Sequence, residues 1–224
     1  NIKGGTTAGA NLFHSFSDFN VETGQTADFK DPGSTIANII SRVTGANDSW
    51  IDGKLKSSIQ GANLYLFNPN GIAFGPNATL DLTGSFHAST ADYLKLGDGG
   101  IFYADPTKAS NLTAGPVEAF GFLDDKIGTM TLEGSKLIVS EGKELSLIGG
   151  DIDIRANETQ ASNAVIGASG GMINLVSLAS AGELRPTDAD IELTNEHMGD
   201  VTISNNSIIN VTNTQSSSKV GKIF

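Results

Sequence analysis

Between Gly61 and Thr90 the chain reads GANLYLFNPNGIAFGPNATLDLTGSFHAST, and its breaks come too close together for a helix to fit between them. Leu64 and Leu66 alternate with Asn63, Tyr65 and Phe67, the period of two that marks a strand with one buried face. Asn68-Pro69-Asn70-Gly71 breaks that strand, and Ile72 and Phe74 begin the next. Gly75-Pro76-Asn77 breaks again before Leu80 and Leu82, and Thr83-Gly84 leads on to Phe86 and Ala88. The product is a run of very short strands joined by tight turns.

The same pattern recurs downstream. Met130 and Leu132, Leu137 and Val139, Leu145 and Leu147, and Ile152 and Ile154 alternate, with Gly128, Gly134, Gly142, Gly149 and Gly150 as punctuation. Ile173 and Leu175, Ile191 and Leu193, Val201 and Ile203, and Ile209 and Val211 continue it. A sandwich built on hairpins uses strands of about 5–6 residues or more. These runs are shorter, so a solenoid coil of three strands and three turns fits better. Each strand then pairs with its equivalent one coil on, roughly 4.8 Å away. Inward Leu and Ile stack along the axis, and turn Asn side chains can bond up and down the pile. At about 20–25 residues per coil the chain would make roughly nine or ten coils.

Four segments depart from the rule. In Gly33–Gly45, Ile36, Ile39, Ile40 and Val43 have helical spacing, with a start at Ser34 or Thr35, while the β-branched content argues for strand. Leu94–Gly121 gathers Phe102, Tyr103 and Phe120 around Gly99-Gly100 and Asp105-Pro106, and is expected to leave the coil as a hairpin on its side. Glu158–Gly171 and Glu183–Asp190 read as loops.

Composition narrows the function. The 27 glycines suit many turns, and recurring apolar residues from Ile36 to Ile223 exclude a disordered chain. Net charge is −11, and the 14 Lys and Arg are scattered singly, which excludes the clustered cations that nucleic acid requires. The acidity serves solubility. The absence of Cys removes disulfides, thiol catalysis and thiolate metal sites, and suits a chain that crosses an oxidising periplasm unfolded. No apolar run reaches the roughly 20 residues of a membrane span, and no signal peptide is visible. A chain starting at Asn1 and stopping at Phe224 is expected to be a mature N-terminus or a fragment.

His14, His87 and His197 each lack a neighbouring Ser or Asp in a triad-like arrangement, so catalytic residues are not expected. Asp151 and Asp153 in GGDIDI share an outer strand face; calcium-binding repeats would need that pattern several times, and it is not repeated. Asp124-Asp125 and Asp188 to Asp190 read as loop carboxylates. The Asn-x-Ser/Thr sequons at Asn47, Asn77, Asn111, Asn157, Asn205 and Asn210 read as turn asparagines. Neither a cofactor nor a metal is implied. Asn68-Pro69-Asn70-Gly71-Ile72 is an effective turn, with Pro at its second position and a positive φ expected at the corner.

The surroundings of that turn resemble the secretion domain of two-partner secretion (TPS) exoproteins, the filamentous haemagglutinin N-terminal domain, and look most like cyanobacterial members. Asn11-Leu12-Phe13-His14-Ser15-Phe16 with Phe19-Asn20-Val21 resembles the family's opening motif. Ser41-Arg42-Val43-Thr44-Gly45, followed by Ile51-Asp52-Gly53, resembles the next. Gly61-Ala62-Asn63-Leu64 through Asn68-Pro69-Asn70-Gly71-Ile72 and Phe74-Gly75 matches the hallmark secretion motif, and Gly142-Lys143 with Leu145 to Gly150 a later coil. The likeness covers roughly Asn1 to Ser180.

The resemblance implies an all-β, right-handed parallel β-helix with small extra-helical β elements and an N-terminal β cap, one domain over 1–224 continuing into further coils of a larger exoprotein. It makes Ile39–Val43 a strand. It implies export from a Gram-negative cell: periplasmic transit unfolded, recognition by the POTRA domains of a TpsB-type outer-membrane β-barrel transporter, and folding at the cell surface. Asn68, Pro69, Asn70, Gly71 and Ile72 carry that motif, with Asn11 to Phe16 and Arg42, Val43, Thr44 and Gly45 as secondary positions. Some members hold a second Asn-Pro-Asn-Leu motif where this chain has Asp31-Pro32-Gly33-Ser34. Two other readings compete. A β-helix polysaccharide lyase or hydrolase needs clustered acids beside Arg or Lys, and here acids are dispersed and only Arg42 and Arg155 precede Arg185. A stand-alone adhesive stalk would bind through this segment by itself. The expectation is a non-enzymatic monomer.

Overall fold

The computed structural model describes residues 1–187, 190–213 and 221–224. None of these residues is helical. Strands Asn11–Phe16, Asn38–Val43, Asn63–Phe67, Phe86–Ser89, Glu144–Gly149, Met172–Ser177 and Lys222–Ile223 stack in parallel as the first face. Ser49–Ile51, Ile72–Phe74, Met130–Glu133, Ile152–Arg155 and Val201–Ile203 form the second. Thr26–Phe29, Lys54–Ser57, Thr79–Asp81, Lys136–Val139, Val165–Ala168 and Ile208–Asn210 form the third. The chain visits the faces in that order and returns to the first one step higher. This is a parallel β-helix, and Thr6–Ala8 caps its start by pairing antiparallel with Asn11–Phe16.

Register explains the core. Leu12, Ile39, Leu64, Phe86, Leu145 and Ile173 lie directly above one another on the inner side of the first face. All of them are buried, and they meet Ile51, Ile72, Phe74 and Met130 from the second face and Phe29, Leu55 and Leu137 from the third. Of the residues expected inside, Leu64, Leu66, Ile72, Phe74 and Leu82 are buried, and Leu80 packs against the same core half-covered. Stacking like on like buries apolar side chains without hairpins wherever a coil has a neighbour on both sides, while Val201 and Ile203 in the last coil are exposed.

The coil count differs from the expectation. The first face carries an eight-stranded sheet, one strand of which is the antiparallel cap, so the described chain makes six turns and starts a seventh. The missing length leaves the coil twice at the same corner, after Phe86–Ser89 and after Met172–Ser177. The first excursion holds Tyr93–Leu96, Ile101–Tyr103 and Val117–Phe122, the second Gly182–Pro186 and Ile191–Leu193. Together they build one five-stranded antiparallel sheet. The expected sideways hairpin is present. Glu183–Asp190, expected to be loop, is strand as far as Pro186, and Asp188 lies outside the described residues. Ile191 and Leu193 belong to the excursion and not to the coil. Glu158–Gly171 contains the third-face strand Val165–Ala168.

That antiparallel sheet covers the outer side of the first face and creates a second core. Phe13, Ile40, Phe67, Ile148 and Val176 project outward from the coil into Leu94, Leu96, Phe102, Phe120 and Leu184. First-face strands are therefore buried on both sides and lose their clean alternation. This accounts for Gly33–Gly45. Ile39 faces the inner core and Ile40 the outer one, both fully buried, and the adjacent pair mimics helical spacing in what is the strand Asn38–Val43.

Candidate functional site

Asn68 closes the first-face strand Asn63–Phe67 and is fully buried. Gly71 N–H donates to its carbonyl at 3.1 Å, closing the turn, and Asn70 N–H donates to its side-chain oxygen at 3.1 Å. The positive φ falls at Gly71, at 131°, and Asn70 is not among the left-handed residues. The Asn68 amide donates at 3.0 Å to both the Asn47 carbonyl and Ser49 Oγ in the coil below. The Asn70 amide donates at 2.9 Å to Gly45 O and to Asn68 Oδ1. Each asparagine thus fixes its own turn and ties it to the previous coil, and Ile72 enters the inner core as the next strand opens.

The Arg42-Val43-Thr44-Gly45 stretch is the same corner one coil down. Thr44 donates from both N–H and Oγ1 to Phe16 O, at 2.8 and 3.0 Å, and Gly45 N–H donates to Ser17 O at 3.0 Å. A Cβ at Gly45 would lie 2.3 Å from that Ser17 oxygen, so this approach needs glycine. Val43 points into the inner core. Arg42 points the other way: Nε donates to Ser15 Oγ at 2.8 Å, and Nη1 donates to the Tyr103 carbonyl and, at 3.3 Å, to Ser110 Oγ. Its guanidinium lies 4.5 Å from the Phe102 ring centroid, so one side chain pins the excursion to the coil. Burial lowers its pKa.

Asn11–Phe16 lies one coil further down. Leu12 is in the inner core, His14 packs on the rings of Phe16 and Phe29, and Phe13 enters the outer core. Burial holds the His14 imidazole below its ordinary pKa. Asn11 donates to the carbonyls of Thr113 and Gly115 in the excursion at 3.0 and 2.7 Å. It also accepts from Asn38 at 2.9 Å, and Asn38 accepts from Asn63 at 3.1 Å. Asn63 then accepts from Ser85 N–H at 2.9 Å. This is the expected asparagine pile, placed at strand starts. Its sequence signal was an Asn preceding the first apolar residue of three successive first-face strands.

Asp52, in the Ile51-Asp52-Gly53 stretch, braces two more turns. It accepts from Thr23 Oγ1 below and, above, from Asn77 N–H at 2.8 Å and the Asn77 amide at 3.0 Å. Burial alone would raise its pKa, but the bonds from Thr23 and Asn77 outweigh it and hold the carboxyl below the ordinary aspartate range. A depressed folded pKa contributes stability that is present above the unfolded value and lost as pH falls through the folded one. Asp52→Asn should therefore cost about 2 kcal/mol near neutrality. In urea titrations over a pH series, that difference should shrink as pH drops below the ordinary aspartate range. A difference that stays constant with pH would show that the carboxylate charge has no part in bracing the turns.

The fold does bring a serine and a carboxylate to His87, which the sequence reading did not foresee. His87 Nδ1 lies 3.0 Å from Ser146 Oγ, which donates to Glu144 Oε1 at 3.0 Å and accepts from Asn174 at 3.1 Å. The carboxylate contacts the serine rather than the imidazole, the reverse of a nucleophile–base–acid relay. Ser146 is fully buried, Tyr65 stacks on His87 at 4.3 Å, and burial pushes the imidazole pKa down to about 3. The group is a buried polar seam on the outer side of the first face, in register with Ile40 and Tyr65. Asp153 faces outward, as expected, and pairs with Arg155. Among the described residues no three His, Asp or Glu side chains converge as metal ligands.

A curated relative, the heme/hemopexin-binding protein of Haemophilus influenzae, is 33% identical over 82 residues, 37% of this chain and 8% of that protein. The chain thus spans only a small part of that relative's length. The TPS secretion domain family matches residues 1–223, which takes in all the motif stretches stacked at this corner and both excursions. The chain belongs to the TPS secretion domain family.

Proposed function

We propose that this domain directs the export of a longer exoprotein, read while unfolded by the POTRA domains of a TpsB-type outer-membrane barrel, and that its coils then begin β-helix folding at the surface of a Gram-negative cell. As a TPS secretion domain it is part of a secreted protein with a transporter partner. The observation that carries the finer reading is the fate of the motif residues. Asn68 is fully buried, Asn70 is bonded to the coil below, and Arg42 and Asn11 are held by the excursion. Side chains consumed in this way by the folded domain are available to a partner only in the extended chain. An open sheet edge in that partner can take such a chain as an added strand, with backbone bonds supplying affinity and Asn68 and Asn70 supplying identity. The domain is a non-enzymatic monomer in this reading and continues into further coils.

Asn68→Ala and Asn70→Ala should each reduce secretion in a strain carrying the partner barrel. Wild-type refolding of the purified variants would locate the damage in recognition, and slow refolding would locate it in nucleation. Normal secretion of the double variant would remove both roles.

A further inference from the structure

We propose that Asn70-Gly71 is a deamidation site that folding closes, so that the secretion motif is chemically perishable only while the chain is unfolded. Asn-Gly occurs once in the 224 residues, inside this motif. The reaction needs no partner. The Gly71 backbone nitrogen attacks Asn70 Cγ, the N–Cγ bond forms, and the Cγ–Nδ2 bond breaks. The amide nitrogen leaves as ammonia, carrying the proton that Gly71 gives up. Water then opens the resulting succinimide at either carbonyl, leaving aspartate or isoaspartate at position 70. Only water is required as co-reactant.

The vulnerability and the turn share one cause. Gly71 sits at φ 131°, where side chains are strained, and a Cβ there would lie 3.1 Å from the Thr129 carbonyl oxygen. The turn therefore needs a residue without a Cβ, and that same lack leaves the attacking nitrogen unshielded. In the folded domain both reacting groups are tied into hydrogen bonds. Gly71 N–H is engaged by Asn68 O at 3.1 Å, Asn70 N–H by Asn68 Oδ1 at 3.1 Å, and the Asn70 amide by Gly45 O and Asn68 Oδ1 at 2.9 Å each. Reaching the succinimide geometry means rotating Asn70 and Gly71 out of all these bonds together. The unfolded chain has none of them.

The product cannot rebuild the corner. A carboxylate in place of the amide loses both donated bonds and sets its charge against two acceptor oxygens, Gly45 O and Asn68 Oδ1. An isoaspartate also lengthens the turn by one backbone atom. The consequence for export rests on the function proposed above: a chain that waits too long unfolded would lose the corner it must later close. The chemistry itself does not depend on that reading.

Purified protein should be held at mildly alkaline pH, one portion unfolded in urea and one folded in buffer, and its peptides followed by mass spectrometry with separation of isoaspartyl forms. In urea, Asn70 should convert ahead of every other asparagine. Folded protein should convert Asn70 at least about tenfold more slowly, the factor expected if reaction waits on a local opening costing about 1.4 kcal/mol. Gly71→Ala, unfolded in the same urea, should lose most of the conversion. Equal rates in the folded and unfolded samples, no preference for Asn70 in urea, or an unchanged rate in Gly71→Ala would each overturn the proposal. These readouts involve no transporter, so a failed export reading leaves them intact, and their failure leaves the secretion assay standing.

Discussion

Phe102→Ala should destabilise the domain by about 3–5 kcal/mol, the range for removing a buried aromatic ring. Phe102 is 2% exposed, and its ring centroid lies 5.1 Å from that of Phe13 and 5.8 Å from that of Phe67, both in edge-to-face contact. It belongs to the excursion, while Phe13 and Phe67 belong to coils two steps apart. Truncating it empties the centre of the outer core and strips the surface on which the Arg42 guanidinium rests. Urea unfolding followed by the fluorescence of Trp50 in the coil, of Tyr93 and Tyr103 in the excursion, and by far-UV circular dichroism should shift together if excursion and coil unfold as one unit. A loss below about 0.5 kcal/mol, within the range of ordinary surface substitutions, would mean that the excursion sheet is not energetically coupled to the β-helix.

Leu66→Ala probes the inner core and should cost about 2–5 kcal/mol. Its place in the column argues for the upper part of that range. Leu66 lies over Ser41 in the strand below and under Ala88 in the strand above, both fully buried. Two small neighbours fixed by sheet hydrogen bonds cannot close the space a leucine vacates, and the Ser41 hydroxyl already lacks a partner there. The cost of a cavity depends on how far its walls can collapse, and these walls are backbone ladders. An effect below about 0.5 kcal/mol would mean that Leu66 faces outward and that the register of the first face is shifted by one residue. Because Leu66 and Phe102 lie on opposite sides of the same sheet, the double variant should lose close to the sum of the two. Near-additivity is the mark of two cores rather than one.

The architecture was legible where alternation was clean. Second- and third-face strands such as Ile72–Phe74 and Lys136–Val139 bury one side only, so Ile72 and Phe74, or Leu137 and Val139, announce themselves with a period of two. The turns were equally local: Asn68-Pro69-Asn70-Gly71 needs only its own residues to predict a tight corner. The motif stretches at 11–16, 42–45 and 68–72 were singled out by their resemblance to the family's motifs, each being a short contiguous string.

What the strings did not reveal was how they meet. Asn70 reaching Gly45, Arg42 reaching Ser15 and Tyr103, and Asn11 reaching Thr113 and Gly115 join residues 25 to 104 positions apart. Such contacts depend on coil register, which no local window contains. The second core was hidden for a related reason. Phe13, Ile40 and Phe67 occupy positions that alternation assigns to solvent, and only the sheet built from two separate excursions gives them a partner. That sheet consumes the length that suggested nine or ten coils and takes Ile191–Leu193 out of the solenoid. Local periodicity fixes what each strand is and where it turns. Which strand lies above which, and what covers the outer face, is set by long-range stacking, because the free energy of burial depends on partners the chain brings together only once it has coiled.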